Sequence, residues 1–212
     1  MQNVYVILGA GRTGSNWLAD VMSYRADHQR YLKLKNNMKP AGICHAIKAD
    51  VDTKECIEET LKFCNTVVVH THNKNFLKDF NLDPKNVTLI ISKRRDMFAA
   101  LMSNAISRRT KESVGYTNKK IEPFSIDANK FLALKLYVDK FYDDINLTLP
   151  YKKTTTIFYE DMLQYGVPHL MEKLNIPPDT IYTASYVYGR SPYDYKRCVL
   201  NWEELFNIYA LS

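Results

Sequence analysis

An apolar run that ends in a glycine-rich turn opens the sequence, and the turn leads directly into a helical pattern. Residues 4–8 are Val-Tyr-Val-Ile-Leu, and Gly9, Gly11 and Gly14 follow them. A short apolar run of this kind predicts a buried strand, and residues 16–22 predict the beginning of a helix. Backbone N–H groups at such a strand-to-helix turn converge on one point and favour an anion there. The turn therefore predicts a binding site for a phosphate-bearing ligand.

The spacing of these glycines is compatible with more than one kind of site. A Walker A loop requires a lysine at the position of Ser15, so the loop disfavours hydrolysis of a nucleoside triphosphate. A dinucleotide fingerprint accepts the glycines but needs an acidic residue about twenty positions further on, and residues 30–35 contain none. An NADP site could instead use Lys33 or Lys35. An NADP-binding Rossmann oxidoreductase and a noncatalytic nucleotide-binding protein therefore stay open as alternatives, as does a turn whose glycines serve packing alone.

A second strand pattern ends in a basic cluster. Residues 86–92 run from a turn through an apolar stretch, and residues 93–96 are Lys-Arg-Arg-Asp. Arg95 and Ser103 are eight residues apart, which predicts one at the end of a strand and the other about two turns into a helix. An arginine offers phosphate a bidentate, permanently charged fork, and a serine adds a short-range donor. The pair is a candidate second phosphate site.

A third strand pattern supplies candidate general bases. Residues 66–69 are all β-branched, and His70, Thr71 and His72 follow them. Open α/β sheets place their functional residues at the carboxyl ends of strands. His72 is therefore a candidate general base, and His45, in another short apolar segment, is the competing one.

Residues 12–18, Arg-Thr-Gly-Ser-Asn-Trp-Leu, resemble the sulfonate-binding loop of sulfotransferases that use 3′-phosphoadenosine 5′-phosphosulfate (PAPS) as the donor. The spacing of Arg95 and Ser103 is similar to the segment with which those enzymes hold the 3′-phosphate. Met97 stands where the family has proline. In cytosolic sulfotransferases the strand that corresponds to residues 66–70 ends in Lys-Thr/Ser-His. The end of this strand resembles that triplet, with a histidine in place of the lysine.

The resemblance implies a transferase, a sulfotransferase that moves a sulfonate group from PAPS to a hydroxyl or amine of a small-molecule or glycan acceptor. The product would be 3′-phosphoadenosine 5′-phosphate (PAP), the catalytic residues would be His72 as general base and Arg12, and no metal would be needed. Segment 191–205 is similar to the ending of many bacterial sulfotransferases, where a basic loop helps to bind the 3′-phosphate. Arg190, Lys196 and Arg197 are the candidates in that loop. The residues implied to bind the donor are Gly11, Arg12, Thr13, Gly14, Ser15, Asn16, Trp17, Arg95, Ser103, Lys196 and Arg197.

The patterns alternate between strand and helix along a chain that no Pro/Gly/Ser-rich linker divides. We expect one domain over residues 1–212, which is long enough to bury a full core at 46% hydrophobic content. Alternation of this kind predicts a parallel sheet with helices on both faces, a three-layer α/β/α fold like that of P-loop nucleotide-binding proteins. The expected strands are 3–8, 43–47, 66–70, 87–92 and 154–158, and the expected helices are 15–26, 54–64, 74–80, 96–109, 127–145 and 160–173.

Details of two of these helices follow from their residue types. The helix over 127–145 is predicted to be amphipathic, and Glu160 and Asp161 are predicted to cap the helix over 160–173, because acidic residues favour a positive helix N-terminus. Segment 108–127 is rich in basic residues and is a candidate lid over the acceptor, with a solvated connector as the alternative. The buried stripe of the long helix is predicted to contain Phe131, Leu132, Leu134, Leu136, Val138 and Phe141.

The charge of the chain is basic, with a formal net charge of +6 and a pI near 9.0. The lysines are scattered and no zinc spacing or RNP-like aromatic motif accompanies them, so we expect no nucleic-acid partner. The four cysteines form no close Cys-x-x-Cys pair, which favours reduced thiols in the cytoplasm. No membrane span is expected either. The sequence leaves the acceptor and the oligomeric state open.

Overall fold

The structure is a computed structural model, and its centre is a sheet of five parallel strands. It describes residues 3–23, 43–46, 57–58, 61–62, 66–110, 121–145, 147–175 and 194–212. Over these residues the strands run in the order β2-β3-β1-β4-β5. The expected α/β fold with a parallel sheet is confirmed. The strands are β1 (Asn3–Leu8), β2 (Ile43–Ala46), β3 (Thr66–Thr71), β4 (Val87–Lys93) and β5 (Lys153–Phe158).

Seven α-helices of the described residues have defined ends. A 3₁₀ turn at Pro84–Asn86 precedes β4, and residues 57–58 and 61–62 are helical within the predicted helix 54–64, whose other residues lie outside the described part. The helices are α1 (Ser15–Ser23), α2 (Phe76–Asp79), α3 (Met97–Thr110), α4 (Ala128–Asp143), α5 (Tyr159–Leu174), α6 (Tyr195–Cys198) and α7 (Trp202–Leu211).

The sheet is apolar on both faces at its centre. Parallel strands are covered on both sides, so they are rich in Val, Ile and Leu rather than alternating. In β1, Val6, Ile7 and Leu8 are fully buried, and β4 has six buried residues in succession from Val87. One face carries a core cluster to which α1 and α5 contribute, and this cluster anchors the helix that follows the glycine turn. Its members are Ile7, Leu18, Ala19, Met22, Val68, Ile90, Ile157, Tyr159, Met162, Leu170, Met171 and Leu174.

The chain forms two compact units. Unit 1 is Met1–Arg95 with Ile145–Tyr186 and contains the sheet, and unit 2 is Asp96–Asp144 with Val187–Ser212. Unit 2 is built around Phe98, whose ring meets several aromatic rings edge-on or tilted at 5.2 to 5.8 Å between centroids. The single domain over 1–212 stays a prediction. The rings around Phe98 are those of Phe131, Tyr195, Phe206 and Tyr209.

The structure corrects the predicted stripe of α4. Leu136 is 56% exposed and Leu132 is only partly buried. The buried positions 131, 134, 138 and 141 recur every three or four residues, as one face of a helix does, and position 136 falls on the opposite face. Asp127 caps this helix, because its side chain accepts a hydrogen bond from the Lys130 N–H.

The start of α5 also differs from the prediction. Its N-cap is Phe158, which makes no side-chain cap, and Glu160 and Asp161 lie in the first turn instead. The helix is interrupted at Gly166, which has a non-helical backbone (φ 69°), two residues before Pro168. A proline removes an N–H and clashes with the preceding turn, so it breaks the helix there.

The segment after β3 forms a turn where a longer helix was predicted. The Asn73 N–H donates to Thr71 Oγ1, the Asn75 N–H donates to Asn73 Oδ1, and α2 begins only at Phe76. Asparagine and threonine side chains compete for backbone groups in this way and delay a helix. At the other end of the chain, α6 and α7 were not predicted. None of the described helices is long and apolar enough to cross a bilayer.

Candidate functional site

The loop between β1 and α1 has an unusual backbone. Gly11, Arg12 and Gly14 have φ values of 89°, 56° and 80°, in the left-handed region. A residue with a Cβ is disfavoured there by about 1 to 2 kcal/mol, so an arginine in this conformation stores strain. The helix begins at once, because the Leu18 N–H donates to the Gly14 carbonyl at 2.9 Å. The first N–H groups of α1 are therefore at the end of this loop.

Two glycines of the loop are required by close packing. A Cβ on Gly9 would lie 2.7 Å from Thr13 Oγ1, and one on Gly14 would lie 2.6 Å from Cδ2 of Tyr159. Thr13 is fully buried, and its hydroxyl makes no hydrogen bond within the described part of the chain. The loop is thus folded back against β4 and α5 rather than extended into solvent.

The end of β4 supports the loop from one side. The buried Ser92 hydroxyl donates to the Thr13 carbonyl at 2.8 Å, and Nη1 of Arg94 reaches the Arg12 carbonyl at 3.5 Å. The Arg94 guanidinium lies 4.6 Å from the centre of the Tyr159 ring, an attractive cation–π arrangement. Its Nε atom is buried, 3.7 Å from a Glu160 carboxylate oxygen, and makes no hydrogen bond among the described residues.

Positive charge is concentrated at this loop. The pKa of Arg12 is lowered, first because the side chain is buried and second because Arg94 repels its charge. Two guanidinium groups that repel each other are both stabilised by an anion near them. Arg94 was missed in the sequence, although it belongs to the basic cluster 93–96 at the end of this strand pattern.

The end of β3 contacts the loop from the other side. The side chain of His70 is buried, and its Nε2 atom is hydrogen-bonded to Ser15 Oγ at 2.9 Å. The rings of His70 and His72 meet edge to face with centroids 4.9 Å apart. His70, which stands where the sulfotransferase triplet has its lysine, therefore contacts Ser15, the first residue of α1. This contact crosses 55 positions of the chain, and no local pattern indicates it.

The second histidine, His72, also contacts the glycine loop. Its Nδ1 atom is hydrogen-bonded to the Gly9 carbonyl. A carbonyl oxygen only accepts, so Nδ1 carries the proton and the Nε2 atom of the neutral ring is the one that can accept one. A general base requires an accepting atom of this kind, and the role of His72 as the base stays a prediction.

The Arg95 side chain contacts the first turn of α5. Its guanidinium forms a bidentate pair with Asp161, at 2.6 and 3.0 Å, and its backbone N–H donates to a Glu160 carboxylate oxygen at 3.0 Å. The Asp161 pairing raises the pKa of Arg95, and the same hydrogen bond, with Lys173 3.6 Å away, lowers the pKa of Asp161. The Arg95 side chain is still 53% exposed. Glu160 and Asp161 thus bind an arginine instead of capping α5.

The other predicted site residues lie as follows. Trp17 is partly buried and packs against the core cluster, and Asn16 belongs to α1. His45 lies on β2 in register with His70. Ser103 is buried on α3, in unit 2. Their parts in donor binding or catalysis stay predictions.

The basic residues of the C-terminal segment belong to α6. Lys196 and Arg197 are both exposed, the Lys196 Nζ atom lies 5.1 Å from the centre of the Trp202 ring, and Arg197 pairs with Asp194 at 3.6 Å. Both are in unit 2. Arg190, Lys33, Lys35 and residues 111–120 of the candidate lid fall outside the described residues.

No group of three or more His, Cys, Asp or Glu side chains in the described ranges could hold a metal ion. Comparison with protein-family models, with curated proteins and with solved structures found no match for this chain.

Proposed function

We propose that this protein is a sulfotransferase that moves a sulfonate group from PAPS to an acceptor hydroxyl or amine. One observation carries the proposal, the strained glycine loop that brings Arg12 and Arg94 together at the end of the central strand. A loop with a left-handed backbone and partly buried positive charge is suited to a phosphate-like anion. The finer fold that goes with this function is a three-layer α/β/α sandwich of the P-loop nucleotide-binding type.

The sheet order supports an anion site at this loop. The connection from β1 leads toward the β2 edge, whereas the connection from β4 leads to β5 at the opposite edge. Neighbouring strands whose connections diverge leave a crevice beyond their carboxyl ends, and ligands of open α/β sheets bind there. The glycine loop follows β1, Ser92 lies near the end of β4 and Arg94 comes directly after that strand, so the residues around the loop occupy that position.

The same order argues against the dinucleotide alternative. In a dinucleotide-binding unit the strand that follows the glycine turn returns to lie beside the first strand. Here β3 and β4 pair with the two sides of β1, and among the described strands β2 pairs with β3 alone. No place beside β1 remains for the second strand of such a unit. Ser15, bonded to His70, likewise takes the place of the lysine that a nucleoside triphosphatase would use.

The chemistry assigns each group of the site one role. The acceptor oxygen or nitrogen attacks sulfur in line while the bond from sulfur to the 5′-phosphate oxygen breaks, and PAP leaves. The Nε2 atom of His72 takes the acceptor's proton. The loop N–H groups with Arg12 and Arg94 stabilise the negative charge that develops on the leaving oxygen. The His70–Ser15 hydrogen bond and the bond from the Ser92 hydroxyl to the Thr13 carbonyl keep the loop in this shape.

Arg95 has the capacity to bind the 3′-phosphate without leaving Asp161. A guanidinium has five N–H donors, and the pair with Asp161 uses one on each terminal nitrogen. The remaining donors belong to a side chain that is about half exposed. Asp161 then fixes the direction of the guanidinium.

Binding of PAP tests the proposed function. We expect PAP to raise the thermal midpoint of unfolding more than 5′-AMP, ATP or NADP at equal concentration, because a ligand selective for the native state stabilises it by mass action. Differential scanning fluorimetry with a titration of each nucleotide measures this. Equal shifts for PAP and 5′-AMP would mean that the 3′-phosphate is not bound, and a larger shift with NADP would restore the oxidoreductase alternative.

The role of Arg95 is tested by substitution. We expect Arg95→Gln to weaken PAP binding by about tenfold or more, the scale of a lost charged hydrogen bond, and to leave 5′-AMP binding unchanged. Isothermal titration calorimetry measures both affinities. Lys78→Gln, which removes an exposed cation elsewhere in unit 1, is the matched control and should change neither. If Arg95→Gln weakens both nucleotides alike, Arg95 supports the fold through Asp161 and not the 3′-phosphate.

A further inference from the structure

Unit 2 contains a pocket of its own. The pocket has a volume of about 500 Å³ and lies between the last turns of α3, the segment 124–127 and the first two turns of α4. Its floor is apolar, with Phe131 and Leu134 only 1% and 7% exposed. A volume of this size is within the range of small-molecule sites, about 300 to 1,000 Å³. The other lining residues used below are Arg108, Arg109, Phe124, Ser125, Asp127 and Lys130.

One wall of the pocket is held in place by hydrogen bonds. The backbone of Phe124 pairs with Cys198 and Leu200 at 3.0 and 2.9 Å. The Asn201 side chain accepts from the Ile126 N–H at 3.0 Å and donates to its carbonyl at 2.9 Å. An irregular segment whose backbone groups are satisfied in this way forms a preformed wall. The pocket is therefore a built feature of unit 2.

The rim of the pocket is positively charged. Arg108, Arg109 and Lys130 line it and are exposed. Among the described lining residues Asp127 is the one acidic residue, and its carboxylate already accepts a hydrogen bond from the Lys130 N–H as the cap of α4. The Arg109 guanidinium lies 6.0 Å from the centre of the Phe124 ring, which brings it over the apolar part. An apolar floor with cations at the rim suits an apolar molecule that carries an anionic group.

We propose that this pocket binds a small organic anion, an aromatic or aliphatic body with a carboxylate, sulfate or phosphate group. The body packs on Phe131 and Leu134, and the anionic group pairs with Arg109 and Lys130. The proposal stands on residues of unit 2 alone and is independent of sulfonate transfer.

Two related dyes test the proposal. The first is 1-anilinonaphthalene-8-sulfonate, and the second, N-phenyl-1-naphthylamine, has the same rings without the sulfonate. We expect the full chain to bind one equivalent of the sulfonate dye in the pocket, measured by fluorescence titration. In the double variant Arg109→Gln/Lys130→Gln this binding should weaken by about tenfold, because two partly screened charge pairs are lost, and the neutral dye should bind as before. Lys140→Gln, an exposed lysine on the same helix outside the lining, is the matched control and should leave both dyes unaffected.

A blocking variant locates the dye. Ser125 is exposed and lines the pocket, so Ser125→Trp should fill it without disturbing the core and should abolish binding of both dyes. Circular dichroism is the control: each variant should keep the wild-type thermal midpoint, which excludes dye bound to a partly unfolded form. Dye binding that survives Ser125→Trp, or that falls equally in Lys140→Gln and in the double variant, would overturn the proposal.

Discussion

Gly14→Ala is expected to lower the free energy of unfolding by about 2 to 4 kcal/mol. This figure is the sum of the cost of a left-handed backbone and the cost of overpacking. Gly14 has φ of 80°, and its new Cβ would lie 2.6 Å from a ring atom of Tyr159 and 3.0 Å from Cε of Met162. Tyr159 belongs to the core cluster, so it has little room to move. Urea denaturation followed by circular dichroism measures the loss.

A double-mutant cycle with Tyr159→Ala separates the two costs. Removing the ring removes the clash but leaves the left-handed backbone. Gly14→Ala should therefore cost less in the Tyr159→Ala background than in the wild type, by about 1 kcal/mol or more. An additive cycle would mean that the close approach of Gly14 and Tyr159 contributes nothing, and that backbone strain alone accounts for the effect.

The second large effect is catalytic. His72→Asn is expected to reduce sulfonate transfer by about 10²- to 10⁴-fold, the contribution of a positioned general base, while PAP affinity is retained. Asparagine can keep a nitrogen donor for the Gly9 carbonyl, which His72 binds through Nδ1, but it has no counterpart of the accepting Nε2 atom. A screen of phenols, sugars, amines and glycans with labelled donor first identifies an acceptor, and single-turnover rates then compare the variant with the wild type.

His45→Asn is the control for this assignment. It changes the competing histidine, on β2, and should leave the rate near the wild-type value. If His45→Asn loses activity and His72→Asn keeps it, the base is His45. If neither substitution matters, a carboxylate such as Asp50, which lies outside the described residues, becomes the next candidate. A chain that binds PAP but transfers nothing to any acceptor would be a noncatalytic nucleotide-binding protein.

Most of the strands and helices were predicted because the residues that specify them are neighbours in the chain. The β-branched run at 66–69 and the apolar run at 4–8 specify strands locally, and both strands form where they were expected. The predictions were less accurate where local hydrogen bonds compete with a helix. Asn73 and Asn75 bind backbone and side-chain partners in their own turn, so α2 is shorter than expected.

In the candidate site, too, the contiguous motifs were predicted and their distant partners were not. Its glycine loop and its basic cluster are contiguous motifs, and each was predicted from the sequence. The partners of these motifs come from other strands and helices. Ser15 contacts His70, and Arg95 pairs with Asp161, 66 positions away, where a phosphate contact alone had been expected. No spacing rule indicates such pairs.

The sequence by itself determined that a buried strand leads through a glycine turn into a helix, because turn geometry and strand propensity act over a few residues. Only the tertiary structure decided which charged groups surround that turn. The strand order puts β3 and β4 on either side of β1, so the ends of both strands meet the loop, and Arg94 joins Arg12 there. Pairing of strands is a long-range choice that depends on how the whole core packs, and no local segment of the chain encodes it.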